Sequence, residues 1–203
     1  MLFLVQPGCH PRRGVVRILS LALLLVLPLA APQARAEEIS VETQRREGAL
    51  EVVCRALIEA PAELVWQTLT DYNRLAEFIP GMTKSRVLSR SGAVAVVEQL
   101  GAARFLFISI PIEVTIASTE RPPHLIEAKM LKGNLKRLEG AYRIEPLADG
   151  RVRLGWSGLI EAESAPPLIG DLLMRSAIED QFRGMVQEIE RREALRRARE
   201  AQK

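Results

Sequence analysis

Acid–base, nucleophilic and metal chemistry draw on a short list of side chains, and this 203-residue chain holds few of them: Cys9 and Cys54, His10 and His124. Cys9 and His10 fall in an N-terminal stretch that reads as a removable leader, which leaves one thiol and one imidazole. One thiol makes no internal disulfide, and a zinc or copper site on imidazole and thiolate would lack ligands. A Ser-His-Asp triad would have to use His124. That residue follows Pro122-Pro123 in a turn, where a solvated histidine is the plainer reading. No metal and no cofactor is expected. Tyr72, Glu98, Glu113, Arg137 and Tyr142 stand among apolar neighbours and are of types that orient a ligand; Arg137 and Tyr142 suit a carbonyl or carboxylate. Each can equally be a surface side chain on an alternating strand, and Glu113 is read as solvated.

These residues need elements to position them. From Gly48 to Ala60, Val52, Cys54 and Ala56 alternate with Glu51, Val53 and Arg55, which predicts a first strand. Pro61 suits the opening turn of a helix carrying Ala62, Val65, Trp66 and Leu69. A second short helix starts from Asp71, an N-cap residue type, and Pro80-Gly81 closes it. Ser91-Gly92, Pro122-Pro123, Gly133-Asn134 and Asp149-Gly150 then punctuate a meander of antiparallel strands. Its clearest segment, Arg104 to Ser118, has Leu106, Ile108, Ile110, Ile112, Val114 and Ile116 on one face. Pro111, lacking a ladder donor, argues for an edge, bulge or bend there. After Pro166-Pro167 the period changes, and Leu168, Leu172, Ile178, Phe182, Met185, Val186 and Ile189 mark the stripe of a long helix lying across the sheet. Residues 191–203 stay helix-friendly but nearly all charged. A solvated or fraying tail is the favoured reading there, with transient contact with anionic lipid the other.

The leader reading rests on Arg12, Arg13 and Arg17 ahead of an uncharged apolar run from Ile18 to Ala30, about a dozen residues long. That is short of the roughly 20 needed to span a bilayer, and it ends at Pro28 and Ala34-Arg35-Ala36. Cleavage near Ala36 is expected, giving a periplasmic or secreted protein with a short lead-in at 37–47 and one domain at 48–190. Losing residues 1–36 removes four arginines and no acids, leaving 24 basic against 25 acidic residues. The near-neutral remainder has no basic patch interleaved with aromatics, so nucleic acid is not an expected partner.

Ile58-Glu59-Ala60-Pro61-Ala62-Glu63-Leu64-Val65-Trp66, Leu69-Thr70-Asp71-Tyr72 and Phe78-Ile79-Pro80-Gly81 resemble the opening of the START-like, or SRPBCC, superfamily. Glu98-Gln99 and Leu131 to Pro146 resemble further marks of its polyketide cyclase/dehydrase and coenzyme Q-binding branch. The resemblance implies an α+β helix-grip fold: a curved antiparallel sheet wrapped around a long C-terminal helix, with two short helices after the first strand. It also implies an apolar space between sheet and helix. Ile108, Ile110, Met130, Trp156, Phe182 and Met185 are then core or cavity wall, Phe78, Ile79 and Met82 stand where the short helices meet the mouth, and Trp66 of the first short helix is a further candidate contact. Tyr72, Glu98 and Tyr142 complete the candidate ligand contacts. Three functions remain open: a carrier of a lipid or isoprenoid quinone; a cyclase in which Glu98 and Tyr142 shuttle protons; or an envelope interaction module whose cavity, far below ~300 Å³, is filled by side chains.

Overall fold

The computed structural model of the chain describes residues 39–105, 107–162 and 167–203. The leader expected over 1–36, Leu106 and the side chain of Leu168 lie outside the described residues. Eight strands form one curved antiparallel sheet: β1 (Ser40–Arg46), β2 (Ala49–Ile58), β3 (Met82–Ser91), β4 (Val94–Phe105), β5 (Ile108–Arg121), β6 (Leu125–Gly133), β7 (Leu135–Pro146) and β8 (Val152–Ala162). Their order across the sheet is β1-β2-β8-β7-β6-β5-β4-β3. Helix α1 (Ala62–Leu69), a 3₁₀ turn at Tyr72–Arg74 and α2 (Leu75–Phe78) follow β2, and α3 (Pro167–Glu200) ends the fold. This is the helix-grip arrangement expected.

The lead-in before Gly48 contributes a strand. β1 pairs with β2 from Ser40↔Arg55 to Arg46↔Ala49 through a two-residue turn, with Glu47 at φ 52° and Gly48 at φ 86°. Both residues sit in the left-handed region that such hairpins require. The single strand expected over Arg104–Ser118 is two strands, with Phe107 in the turn between them and Ala103 paired with Ile110. Pro111 falls where β5 has β4 on one side but lies short of its first β6 pair, Val114↔Gly133. Asn134 closes that gap: its side-chain oxygen accepts from the Glu113 amide at 2.9 Å, and its side-chain nitrogen donates to the Pro111 carbonyl at 2.8 Å.

The core joins Val52, Ile58, Leu154 and Ile144 of the sheet to Val65 of α1 and to Leu173, Phe182, Val186 and Ile189 of α3. Leu172, expected on the buried stripe, is 44% exposed, and Leu173 and Met174 are buried instead. At about 100° per residue, Leu172 stands on the far side of the helix from Met174.

The charged end of α3 stays helical, and it is stitched down as well as solvated. Arg192 donates to the Asp71 carboxylate at 2.8 Å, so Asp71 acts as an anchor and makes no side-chain cap to the turn it precedes. Arg197 donates to the Glu59 carbonyl at 2.8 Å. Beside these ties Glu188 and Glu193 are buried, each held by two arginines. Hydrogen bonds from Arg191, opposed by burial and joined by Arg192, hold the Glu188 carboxyl down at about 2. A depressed carboxyl contributes stability that is complete above its unfolded value near 4.5 and is lost as pH falls toward 2. Wild-type protein is therefore expected to lose on the order of 1–2 kcal/mol more than Glu188→Gln between pH 5 and pH 2, after allowance for the exposed Arg191 partner. Denaturant melts across that range check this, and parallel pH profiles would contradict it.

Candidate functional site

The concave face of the sheet is closed at one end and open at the other. Along β5, Ile108, Ile110 and Ile112 are half-buried, whereas Val114 and Ile116 are buried. On β6, which runs the other way, Ala128 and Met130 follow buried Ile126, and on β7 Leu138 and Tyr142 precede buried Ile144. Side chains pointing toward a helix yet keeping partial exposure line space that protein atoms do not fill. The open end carries the β4–β5 turn, where Phe107 is 92% exposed, a burial far below the norm for phenylalanine.

A cavity of about 90 Å³ lies between the sheet and the N-terminal half of α3. Met82, Ile112, Leu138, Met174 and Ala177 supply apolar wall, and Gln99 and Gln181 supply two amides. Its rim is a backbone clamp. The Ala102 amide donates to the Gly81 carbonyl at 2.9 Å, and a Cβ on Gly101 would lie 2.4 Å from that same oxygen. Gly81, at φ +77°, turns the chain out of α2. From the other side Gly184 of α3 presses on this corner: a Cβ there would come within 2.4 Å of Pro80 Cδ and 2.8 Å of the Phe78 carbonyl oxygen. The 78–81 corner is thus pinned between helix and sheet by residues without side chains.

Glycine also makes room for Trp156. A Cβ on Gly158 would lie 2.8 Å from the indole, and one on Gly140 would lie 3.0 Å from it, so the ring lies flat along the sheet over both. Tyr142 stands beside it, ring centroids 6.5 Å apart and tilted 57°. Burial, with a smaller contribution from neighbouring Cys54, raises the Tyr142 phenol well above its ordinary value. Burial likewise pushes the Cys54 thiol up to about 12, with the Glu179 charge adding to it. Cys54 stays protonated at neutral pH and is no nucleophile.

The expected site residues divide into three groups. Met82 lines the cavity, and Ile108, Ile110, Met130, Tyr142 and Trp156 share the part-open concave face. Trp66, Tyr72, Ile79, Phe182 and Met185 are buried core, and Phe78 lies beneath the Arg192 guanidinium, 5.5 Å from its ring centroid. The Tyr72 hydroxyl is buried near Ser118 and Glu120 without a well-formed hydrogen bond, and burial raises its phenol. Glu98 is the clear displacement. It faces out, ion-paired to Lys84 and Arg86 at 2.8 Å each, and hydrogen bonds from those two cations lower its carboxyl. Glu98 and Tyr142 stand on opposite faces of the sheet and form no acid–base pair. Arg137 pairs with Glu139, and Glu113 is exposed.

Gln99 was legible. Ala95, Val97 and Ala103 of β4 are buried, so strand parity turns Gln99 inward and Glu98 outward. Gln181 and Ala177, one helical turn apart on α3, carried no signal of their own. His124 is exposed in the β5–β6 turn, its Nδ1 3.4 Å from the Ile144 carbonyl oxygen. Among the described residues no three His, Cys, Asp or Glu side chains converge as a metal would need, and no helix is long and apolar enough to cross a membrane.

A curved antiparallel sheet gripping one long helix, with an uncharged cavity between them, defines a START-like helix-grip domain. Residues 58–190 match the model of the polyketide cyclase/dehydrase and lipid transport family, and the chain belongs to that family. No curated protein matches it in sequence. Among solved structures it is similar to a STAR-related lipid transfer protein from Xanthomonas axonopodis, with a TM-score of 0.63 and 15% identity over 76% of this chain and 95% of that one. It is also similar to the Zhui aromatase/cyclase from Streptomyces sp. R1128, with a TM-score of 0.60 and 19% identity over 70% and 94%. A START superfamily protein from Mycobacterium smegmatis gives 0.60 and 14% over 71% and 99%. At these identities the likeness is one of fold.

Proposed function

We propose that this protein is exported, loses its leader near Ala36, and binds and carries one hydrophobic small molecule, such as a lipid or an isoprenoid quinone, outside the cytoplasm. The observation that carries the reading is the concave face, which stays apolar and part-open at one end while the other end is packed shut. Apolar burial at about 25 cal/mol per Å² supplies affinity without covalent chemistry. Two features favour carrier over cyclase. Glu98 and Tyr142 are separated by the sheet, and the cavity of about 90 Å³ suits a slim acyl or isoprenyl segment better than fused rings. Carrying a whole lipid requires the rim beside Gly81 and Met82 to widen. Phe107, at the open end, would make the contact with a bilayer from which such a ligand is collected.

The small volume also favours a second reading, an envelope interaction module whose cavity is largely filled, because ligand pockets begin at ~300 Å³. Solvent extraction of protein purified from the envelope fraction separates the two, with the N-terminus mapped by mass. The carrier is expected to start near residue 37 and to yield a stoichiometric lipid or quinone. An empty protein that takes up neither would favour the module, and an intact leader on cytoplasmic protein would remove the export reading.

A further inference from the structure

We infer that the cavity selects uncharged ligands, taking alcohols, ketones and esters of long-chain compounds and refusing the corresponding carboxylates. The inference rests on the carrier reading and names its ligand class.

None of the sixteen residues that line the cavity is ionisable. Charges that flank the lining residues stand on the outward parity of their strands or are exposed: Glu98 holds Lys84 and Arg86, Lys136 holds Glu161 at 3.3 Å, and Arg104, Glu113 and Arg175 are exposed. An anion entering this space would leave water without meeting a cation, a cost that apolar burial of its tail does not recover.

The two polar side chains present are amides, and an amide suits a neutral head group because it offers both donor and acceptor. Gln99 projects from β4 beside Gly101 and Ala103, and Gln181 projects from α3 one turn beyond Ala177. Among the described residues neither amide has a hydrogen-bond partner within the protein. Two unpaired amides on opposite walls of an otherwise apolar space are placed to bond a carbonyl or hydroxyl that arrives with the ligand. Gln99, half-buried, discriminates more strongly than Gln181 at the exposed rim.

The test compares four ten-carbon probes on the purified full-length protein at pH 8: decane, 1-decanol, 2-decanone and decanoate. Binding is followed by calorimetry and by the Trp156 environment in NMR spectra. Decane, decanol and decanone are expected to bind, with decanoate at least about tenfold weaker than decanol. Gln99→Leu is expected to weaken decanol and decanone about fivefold and leave decane unchanged, so retained decane binding also certifies the fold. Gln181→Leu, at the exposed rim, gives the same pattern in smaller measure and serves if Gln99→Leu does not fold. Decanoate binding as tightly as decanol, or unchanged decanol affinity in both variants, would overturn the selectivity while leaving the carrier intact. Failure of all four probes, decane included, would overturn the carrier reading and this inference with it.

Discussion

Gly158→Ala is expected to destabilise the protein by about 3 kcal/mol or more, although it adds a single methyl group. The new Cβ would lie 2.5 Å from the Glu139 carbonyl oxygen and 2.8 Å from two atoms of the Trp156 indole. Neither neighbour can retreat cheaply. The oxygen belongs to β7 in the register Glu139↔Leu159 and Gly140↔Gly158, and the indole lies over Gly140 as well as Gly158, beside the Tyr142 ring. Gly155→Ala, three residues earlier on the same strand, is the control. There the nearest atom to an added Cβ is the Cys54 carbonyl oxygen at 3.9 Å, and the change is expected to fall within about 1 kcal/mol of wild type. Urea melts of the pair give the difference directly. Equal midpoints would mean that Trp156 does not lie across the two glycines.

Ala177→Phe is expected to lower ligand affinity about tenfold or more, equivalent to about 1.4 kcal/mol, while leaving the melting temperature unchanged or raised. Ala177 is a small, part-exposed residue of α3 that faces the cavity between Met174 and Gln181. A larger apolar side chain there enters existing space instead of displacing packed atoms, so it competes with ligand without the usual overpacking cost. Binding of an uncharged apolar probe and a thermal melt on the same sample test both halves. Unaltered binding in a folded variant would place the ligand elsewhere, and a large loss of stability would mean that the space is already filled.

Much of the architecture was legible because its signals are local. Asp149-Gly150 marks the β7–β8 hairpin, with Gly150 at φ 82°, and the opening around Pro61 marks α1. β1 went unread because it is a polar edge strand and its turn is Glu47-Gly48, with a glutamate where hairpins of this geometry favour Asn or Asp. The β4–β5 turn was hidden because Phe107 is apolar and offers no turn chemistry, so two strands read as one. Of the site, Gln99 is within reach by strand parity, but the adjacent Glu98 carboxylate carries the stronger chemical signal. The ties Arg192–Asp71 and Arg197–Glu59 join residues more than a hundred positions apart, and charge patterning along one helix cannot reveal such partners.

On the carrier reading, space on the concave face takes up one uncharged apolar molecule. Native mass spectrometry of the purified protein after incubation with a mixed extract of neutral lipids and quinones tests it most directly. One adduct per chain is expected, lost in Ala177→Phe. A bare mass for the wild type at every lipid concentration would contradict it.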